Sequence, residues 1–177
     1  MNYQRLNKSN GTLHLGQLYA VRADESHSVH PNTVTMLIKF YQHILSVNQG
    51  ITIVPTELEY SFDSIKDMFS KGILPVYTGG SDGTLGIDKI LERATHDIIH
   101  ISIGADFTNQ GEFQSALATM RLFDNFVDYQ RNCSDQTRYQ VKQVIYSDVY
   151  LQACYYNYFG TFPDTQKIVL VQLPSYW

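Results

Sequence analysis

The sequence predicts a mostly helical single domain, and three observations lead to this fold class. Apolar residues recur with helical spacing over four long segments, whereas extended patterns cover only short runs. The chain has 177 residues, which suits one domain with its own core. Hydrophobic residues make up 44% of it and charged residues 17%, as in a folded globular protein. The polar, mixed N-terminal stretch of about 30 residues is expected to be irregular, apart from an apolar patch at 13–21.

Four long helices are expected where apolar side chains recur three and four residues apart. Asn32 or Thr33 can cap the first of them, which runs to about Val47. A shorter amphipathic helix is expected over about 62–70, before Gly72. The remaining long helices are expected over about 86–103, 110–131 and 137–159. Helices in this number are typical of an all-α bundle.

The segments between the helices carry turn or strand signals. Residues 51–55 are expected to be extended, and Pro75 with the glycine-rich run 78–83 is expected to form a loop. Gly160 is expected to end the last helix. The apolar tail at 168–171 fits either a strand or an apolar arm, because so short a run has no decisive period.

Composition and charge exclude several classes of function. The net charge is −4 and Lys and Arg form no run, so no nucleic-acid partner is expected. No stretch approaches 18 consecutive apolar residues, and the first residues lack the apolar core of a signal peptide. Cys133 and Cys154 lack the spacing of a zinc site and are expected to be reduced thiols. These features predict a cytoplasmic protein without a transmembrane segment.

Four metal-competent side chains fall within seventeen residues: His96, Asp97, His100 and Glu112. A helix advances about 100° per residue, so the first three share an arc of about 100° on one helical face. On a straight helix Glu112 would lie about 18 Å along the axis from His100. It can join the other three residues only if the chain turns back. Two nitrogens and two carboxylates suit one divalent ion, and this donor set does not distinguish zinc, iron, manganese and magnesium.

The chain contains the residues needed for such a turn. Gly104 can end the first helix as a left-handed cap, and Asn109 can begin the second as its N-cap. Glu112 then follows Asn109 in capping-box spacing. The sequence therefore predicts a helix–loop–helix with one metal site across the hairpin. A hydrogen-bonded polar cluster is the competing interpretation, because buried imidazoles and carboxylates are costly unless they are paired or bind metal.

Other classes of metal site fit this motif less well. A metalloprotease helix has Glu, the general base, directly after its first His, where this chain has the shorter Asp97. A His-Asp-type phosphohydrolase needs a further upstream His and a distant Asp, for which His43 and either Asp128 or Asp148 are available. A ferritin-like di-iron site needs paired Glu-x-x-His motifs, which the chain lacks.

Aromatic residues concentrate late in the chain, with seven Tyr and Phe residues within 146–162. A tyrosine ring packs on alkyl groups while its hydroxyl tolerates water, which suits an amphipathic ligand. The cluster fits either core and rim packing or a groove for a long apolar chain. In the second interpretation the groove is lined by residues of the metal helix and of the last helix, namely Ile99, Ile103, Tyr150, Tyr155 and Tyr158.

The HDxxH motif at 96–100, followed by eleven residues and Glu112, resembles the signature of the coenzyme Q biosynthesis protein 4 family. Gly104 and Gly111 lie where that family tends to have glycines. The Gly-Thr-Leu-Gly segment at 83–86, which follows a Leu-Pro pair, is similar to a second family element, with a shorter insert before the metal helix. The chain thus resembles a divergent or shortened member of this ubiquinone biosynthesis family.

The resemblance implies an all-helical protein in which the two His, the Asp and the Glu hold one divalent metal beside a channel for a polyprenyl tail. Activity in the family is associated with replacing the C1 carboxylate of a prenylated aromatic ring by hydroxyl, and with organising other pathway enzymes. The implied partners are a long-chain isoprenoid or other lipidic molecule and proteins of a biosynthetic complex. A homodimer and a location peripheral to a membrane are compatible with this.

Two classes of function therefore remain open for the chain. One is a metal-dependent lyase or oxidative decarboxylase that acts on a prenylated or otherwise lipidic ring. The other is a non-catalytic lipid-binding scaffold with a structural metal. The sequence shows the metal-ligating residues but no acid/base pair beside them, so it identifies no catalytic residue.

Overall fold

The computed structural model of the protein describes residues 9–80, 82–131, 133–174 and 177. Helices dominate this part of the chain, which confirms the predicted mostly helical fold. The helices are α1 (Ser9–Val21), α2 (Pro31–Val47), α3 (Phe62–Ser70), α4 (Lys89–Ile103), α5 (Asn109–Gln130), α6 (Asp135–Ile145) and α7 (Gln152–Phe159). The strands are β1 (Thr52–Thr56) and β2 (Ile73–Tyr77), and short 3-10 turns lie at Ser26–Ser28 and Thr84–Gly86.

The two strands form a small parallel sheet, with α3 as the crossover between them. The predicted extended segment is β1. The predicted loop is wrong at Pro75, which lies inside β2 opposite Val54, and agrees with the structure at 78–80 and 82–83, which have no helix or strand. A proline can sit in a strand that has a free edge, since it needs no donor on that side. Leu74 and Val76 on β2 are fully buried, and α4 packs against this strand.

The N-terminal stretch is helical in part, contrary to the prediction, because α1 covers 13 residues of it and residues 1–8 lie outside the described ranges. Leu15 and Tyr19 are buried, and the helix packs along α7. Gly16 permits this contact, since a Cβ there would lie 2.4 Å from the carbonyl oxygen of Cys154. The apolar patch is therefore one side of a helix pair, and its partner is more than a hundred residues away in the sequence.

Helix α2 begins earlier than predicted, because His30 is its N-cap in place of Asn32 or Thr33. The imidazole Nδ1 of His30 accepts a hydrogen bond from the backbone N–H of Asn32 at 3.1 Å. Pro31 occupies the first helical position, where its missing N–H costs nothing and its φ is already helical. The end at Val47 agrees with the prediction.

The long C-terminal helix is continuous in space but changes its hydrogen-bonding period. Helix α6 is capped by Ser134 and leads into a π-helical segment, Tyr146–Leu151, which continues as α7. Gly160 ends α7 in the left-handed conformation, as predicted (φ +74°). The apolar tail around 168–171 is an arm without regular structure, and Ile168, Val169 and Val171 are buried in the core.

The core lies between α2, α5 and the α6–π segment and is rich in aromatic rings. Phe40 and Phe123 are fully buried and meet edge to face, with ring centroids 5.4 Å apart. Tyr146 and Tyr150 of the π segment are also buried and pack on each other. This core holds α4 and α5 side by side, which positions the hairpin between them. No helix in the described ranges has both the length and the apolar character needed to cross a bilayer.

Candidate metal centre

The hairpin between α4 and α5 has the predicted shape with a shifted start for the second helix. Gly104 ends α4 in the left-handed conformation (φ 66°, ψ 24°). Thr108, not Asn109, caps α5, and its hydroxyl accepts from the N–H of Gly111 at 3.2 Å. Asp106 holds Thr108 in place by accepting hydrogen bonds from its N–H and its hydroxyl. The predicted capping box is therefore wrong, and the carboxylate of Glu112 is free to turn toward α4.

Three of the four predicted ligands come together across this hairpin. One ligand atom each from His96, His100 and Glu112 lies within 4.8 Å of the others. Glu112 Oε2 is 3.2 Å from His100 Nε2 and 3.5 Å from His96 Nε2. Two atoms bound to one tetrahedral zinc ion at 2.0–2.1 Å would be about 3.4 Å apart. The observed separations therefore fit a shared divalent ion.

The orientation of His100 strengthens this interpretation. Its Nδ1 is 3.0 Å from the carbonyl oxygen of Ala105, which can only accept, so Nδ1 carries the proton in this bond. In a neutral His100 the Nε2 lone pair then faces the Glu112 carboxylate, and two acceptors cannot bond each other. A proton or a cation must lie between them. Metal-bound histidines commonly donate their second N–H to a backbone carbonyl in this way.

Asp97 lies near the three-ligand group but outside it. Neighbouring residues on a helix point about 100° apart, so its short side chain leaves from the flank of the face that carries His96 and His100. Burial raises the pKa of Asp97 to about 6, while the charges of His96 and Arg93 oppose the rise. The guanidinium of Arg93 is anchored by the carbonyls of Tyr77 and Gly79. Asp97 is thus placed to influence the site rather than to complete it.

Charge is shared between His96 and Glu112 in the metal-free site. Burial works against both charges, yet the carboxylate raises the pKa of His96 to about 9. The charge of His96, together with the contacts of both imidazoles with the carboxylate, lowers the pKa of Glu112 to about 2. Near neutral pH the pair is therefore an imidazolium and a carboxylate, and an incoming metal ion would replace the imidazolium proton.

This pair predicts how the stability of the metal-free protein depends on pH. The raised pKa of His96 stabilises the fold fully below pH 6.5, and this contribution is lost as the pH rises to about 9. The lowered pKa of Glu112 stabilises the fold above pH 4.5 and is lost toward pH 2. As the pH rises from 6.5 to 9, the unfolding free energy of the wild type is expected to fall by about 1–2 kcal/mol more than that of His96→Gln. This figure is reduced for solvent screening, because the imidazole is 27% exposed.

Denaturant unfolding of both metal-free proteins at the two pH values measures this difference. Equal losses in the wild type and the variant would show that the imidazolium contributes nothing to folding stability.

Two phenylalanines that the sequence did not single out border the site. Phe107, in the hairpin loop, stacks on His96 with centroids 6.3 Å apart and an interplanar angle of 14°. It also meets His100 edge to face at 5.0 Å, and Phe62 of α3 packs on it at 5.6 Å. Phe107 is 38% exposed, so the metal site has an aromatic, solvent-facing wall. Nothing in the periodicity marks a loop residue for this role.

The five residues predicted to line a groove pack against different parts of the structure. Ile99 is buried, whereas Ile103 is exposed and lines a surface depression of about 270 Å³ between α4 and α5. Tyr150 packs on Phe113 of α5, Tyr155 packs on Tyr19 of α1, and the Tyr158 hydroxyl accepts from Gln17 of α1. These tyrosines fill core and rim positions in this structure, and a groove that joins them to the metal helix stays a prediction.

The residues considered for a phosphohydrolase do not assemble. His43 packs against Phe126 in a tilted arrangement at the exposed side of α2, and Asp128 pairs with Arg138. Asp148 lies close enough to affect the charge of His96 electrostatically. It forms a carboxyl pair with Glu92, which the sequence analysis missed although Glu92 lies four residues before His96 on the same helical face.

Comparison with protein-family models, with curated proteins and with solved structures finds no match for this chain. The candidate function therefore rests on the residues and their geometry.

Proposed function

We propose that the protein binds one divalent metal ion through His96, His100 and Glu112 and uses it to act on an aromatic acid that carries a lipidic chain. One observation carries the proposal: two imidazole nitrogens converge on a single carboxylate oxygen across the hairpin. Three protein ligands leave a coordination position open, which is the pattern of catalytic rather than structural metal sites.

The protein residues around this group have defined tasks. Ala105 orients His100 through its carbonyl, and Gly104 provides the sharp turn that brings Glu112 back to α4. When bound, the metal would supply a positive centre that holds and polarises a carboxylate or phenolate oxygen. Phe107 and Phe62 offer ring surface next to that position, and aromatic pairs contribute about 0.5–1.5 kcal/mol beyond area burial. An aromatic ring with an acidic group suits both features.

The lipidic chain is the part of the proposal that the resemblance to the ubiquinone biosynthesis family supports. The depression beside Ile103 offers a place for part of such a chain on its apolar side, formed with Leu117 and Ala118, while Gln114 and Arg121 make its other side polar. Each buried CH₂ group of a chain adds about 0.8 kcal/mol. On this proposal the protein removes or replaces the ring carboxylate, and a scaffold that only binds the same molecule is the alternative.

The test uses 4-hydroxybenzoate with and without a geranylgeranyl chain at the ring. With Zn²⁺ or Mn²⁺ present, the prenylated acid at 100 times its Kd is expected to raise the melting temperature by about 5–10 °C. The gain should shrink when the metal is removed and in Phe107→Ala. Mass spectrometry of the acid then separates the two functions, because an enzyme consumes it and a scaffold returns it unchanged.

If neither form of the acid stabilises the metal-loaded protein, the proposed substrate class is wrong. If 4-hydroxybenzoate without the geranylgeranyl chain stabilises the metal-loaded protein equally, the substrate is an aromatic acid and the proposed lipidic chain is wrong.

A further inference from the structure

A second group of titratable side chains lies next to the metal centre, built from Glu92 of α4 and Asp148 of the π segment. The two carboxyl groups lie side by side, because both accept hydrogen bonds from Thr84, and each affects the pKa of the other. Asp148 Oδ1 also accepts from the hydroxyl of Thr84 at 2.6 Å and from the amide of Gln152 at 2.8 Å. Glu92 Oε2 accepts from the N–H of Thr84 at 2.9 Å. Three donors from the protein thus point at one pair of acids.

The hydrogen bonds assign a proton to Glu92. A bond between two carboxyl groups needs one proton, because two carboxylates can only accept. Asp148 receives two donors and is better suited to carry the charge, whereas Glu92 Oε1 is buried and has no other donor. A proton on Glu92 Oε1 that is donated to Asp148 satisfies this oxygen. Burial, followed by the charge of Asp148, raises the pKa of Glu92 to about 9, which agrees with this assignment.

The pair is one helical turn from the metal ligands. Glu92, His96 and His100 are spaced four residues apart, so each step moves about 6 Å along α4 and only about 40° around it. The charge of Asp148 also contributes to raising the pKa of His96, after the larger contribution of Glu112. The other titratable groups that face the pair are Tyr41 from α2 and Tyr19 from α1, and burial keeps both phenols neutral by raising their pKa.

The position of Asp148 depends on an irregular backbone. It lies in the π-helical segment between α6 and α7, where the hydrogen-bond period changes. Segments of this kind are rare and are frequent at functional sites. The backbone irregularity and the hydrogen bonds are independent observations, and both place an acid beside the metal ligands.

We propose that Glu92 and Asp148 share one exchangeable proton that serves the metal centre, with Glu92 as the proton donor. This inference rests on the proposed metal site. The proton leaves Glu92 Oε1 for solvent water when positive charge enters at His96, His100 and Glu112, and the pair is left as two carboxylates. Solvent water returns the proton when that charge leaves.

The experiment follows the proton in the complete chain with Zn²⁺ as the probe. Infrared spectra of the metal-free protein at neutral pH are expected to show a protonated carboxyl band that weakens when Zn²⁺ is added. The band should be absent in Glu92→Gln, which keeps the hydrogen bond to Asp148, and present in Glu57→Gln, an exposed control. Calorimetry in buffers of different ionisation enthalpy should count more protons released per Zn²⁺ in the wild type, by up to about one, than in Glu92→Gln.

The outcomes separate this inference from the proposed function. Normal zinc stoichiometry with an unchanged band and equal proton release in Glu92→Gln would overturn the proton store and leave the metal site standing. No zinc binding in the wild type would overturn both. If Glu92→Gln does not fold, Asp148→Asn and the zinc-induced change in the wild-type band decide the question.

Discussion

Replacing His100 with alanine is expected to abolish stoichiometric metal binding. His100 is fully buried, and its ring is held by Ala105 so that Nε2 points at Glu112. The substitution removes one of three ligands and leaves a buried carboxylate with one imidazole. Loss of a supporting residue outside the ligands already costs about 10–100-fold in metal affinity, so loss of a ligand should cost at least about 100-fold. Elemental analysis and zinc titration of the purified protein measure this.

Two matched variants give this experiment its controls. His27→Ala removes an exposed histidine from a 3-10 turn and is expected to leave the affinity unchanged. Asp97→Asn is expected to retain one metal per chain, because Asp97 lies outside the three-ligand group. Metal at unchanged affinity in His100→Ala would refute the site. Loss of metal in Asp97→Asn would restore the four-ligand arrangement expected from the sequence.

Replacing Gly111 with alanine is expected to damage both the fold of the hairpin and the metal site. A Cβ at this position would lie 1.8 Å from the carbonyl oxygen of Asp106, and backbone atoms cannot yield cheaply. Overpacking of this kind costs about 1–3 kcal/mol, or about 2–12 °C in melting temperature for a protein of this size. The strain falls on the residue before Glu112 and should displace its carboxylate, so metal affinity should fall as well. Thermal unfolding and zinc titration report the two effects.

Gly16→Ala is the matched control for this variant. Its Cβ would lie 2.4 Å from the carbonyl oxygen of Cys154, at the contact between α1 and α7 and on elements that carry no metal ligand. A similar loss of melting temperature is expected, with unchanged metal affinity in the protein that remains folded. Equal affinities in Gly111→Ala and the wild type would show that the hairpin turn does not set the position of Glu112.

Much of the hairpin was predictable because its determinants are local. The helical period places His96 and His100 on one face, and Gly104 ends the helix for reasons that concern its own backbone. The start of α5 was misplaced by one residue, because Thr108 competes with Asn109 for the cap and is favoured by its bonds to Asp106. A choice between two adjacent capping residues depends on such contacts, which no spacing rule contains.

By itself, the sequence determined the helical segments after residue 30, the turn and four candidate ligands. The tertiary structure alone decided that Asp97 stays outside that point, that Phe107 lies against both imidazoles, and that Asp148 meets Glu92. The physical reason is the range of the forces involved. Helix period and caps act over a few residues, whereas Glu92 and Asp148 are 56 residues apart in the sequence and meet only in the tertiary fold, where both accept hydrogen bonds from Thr84.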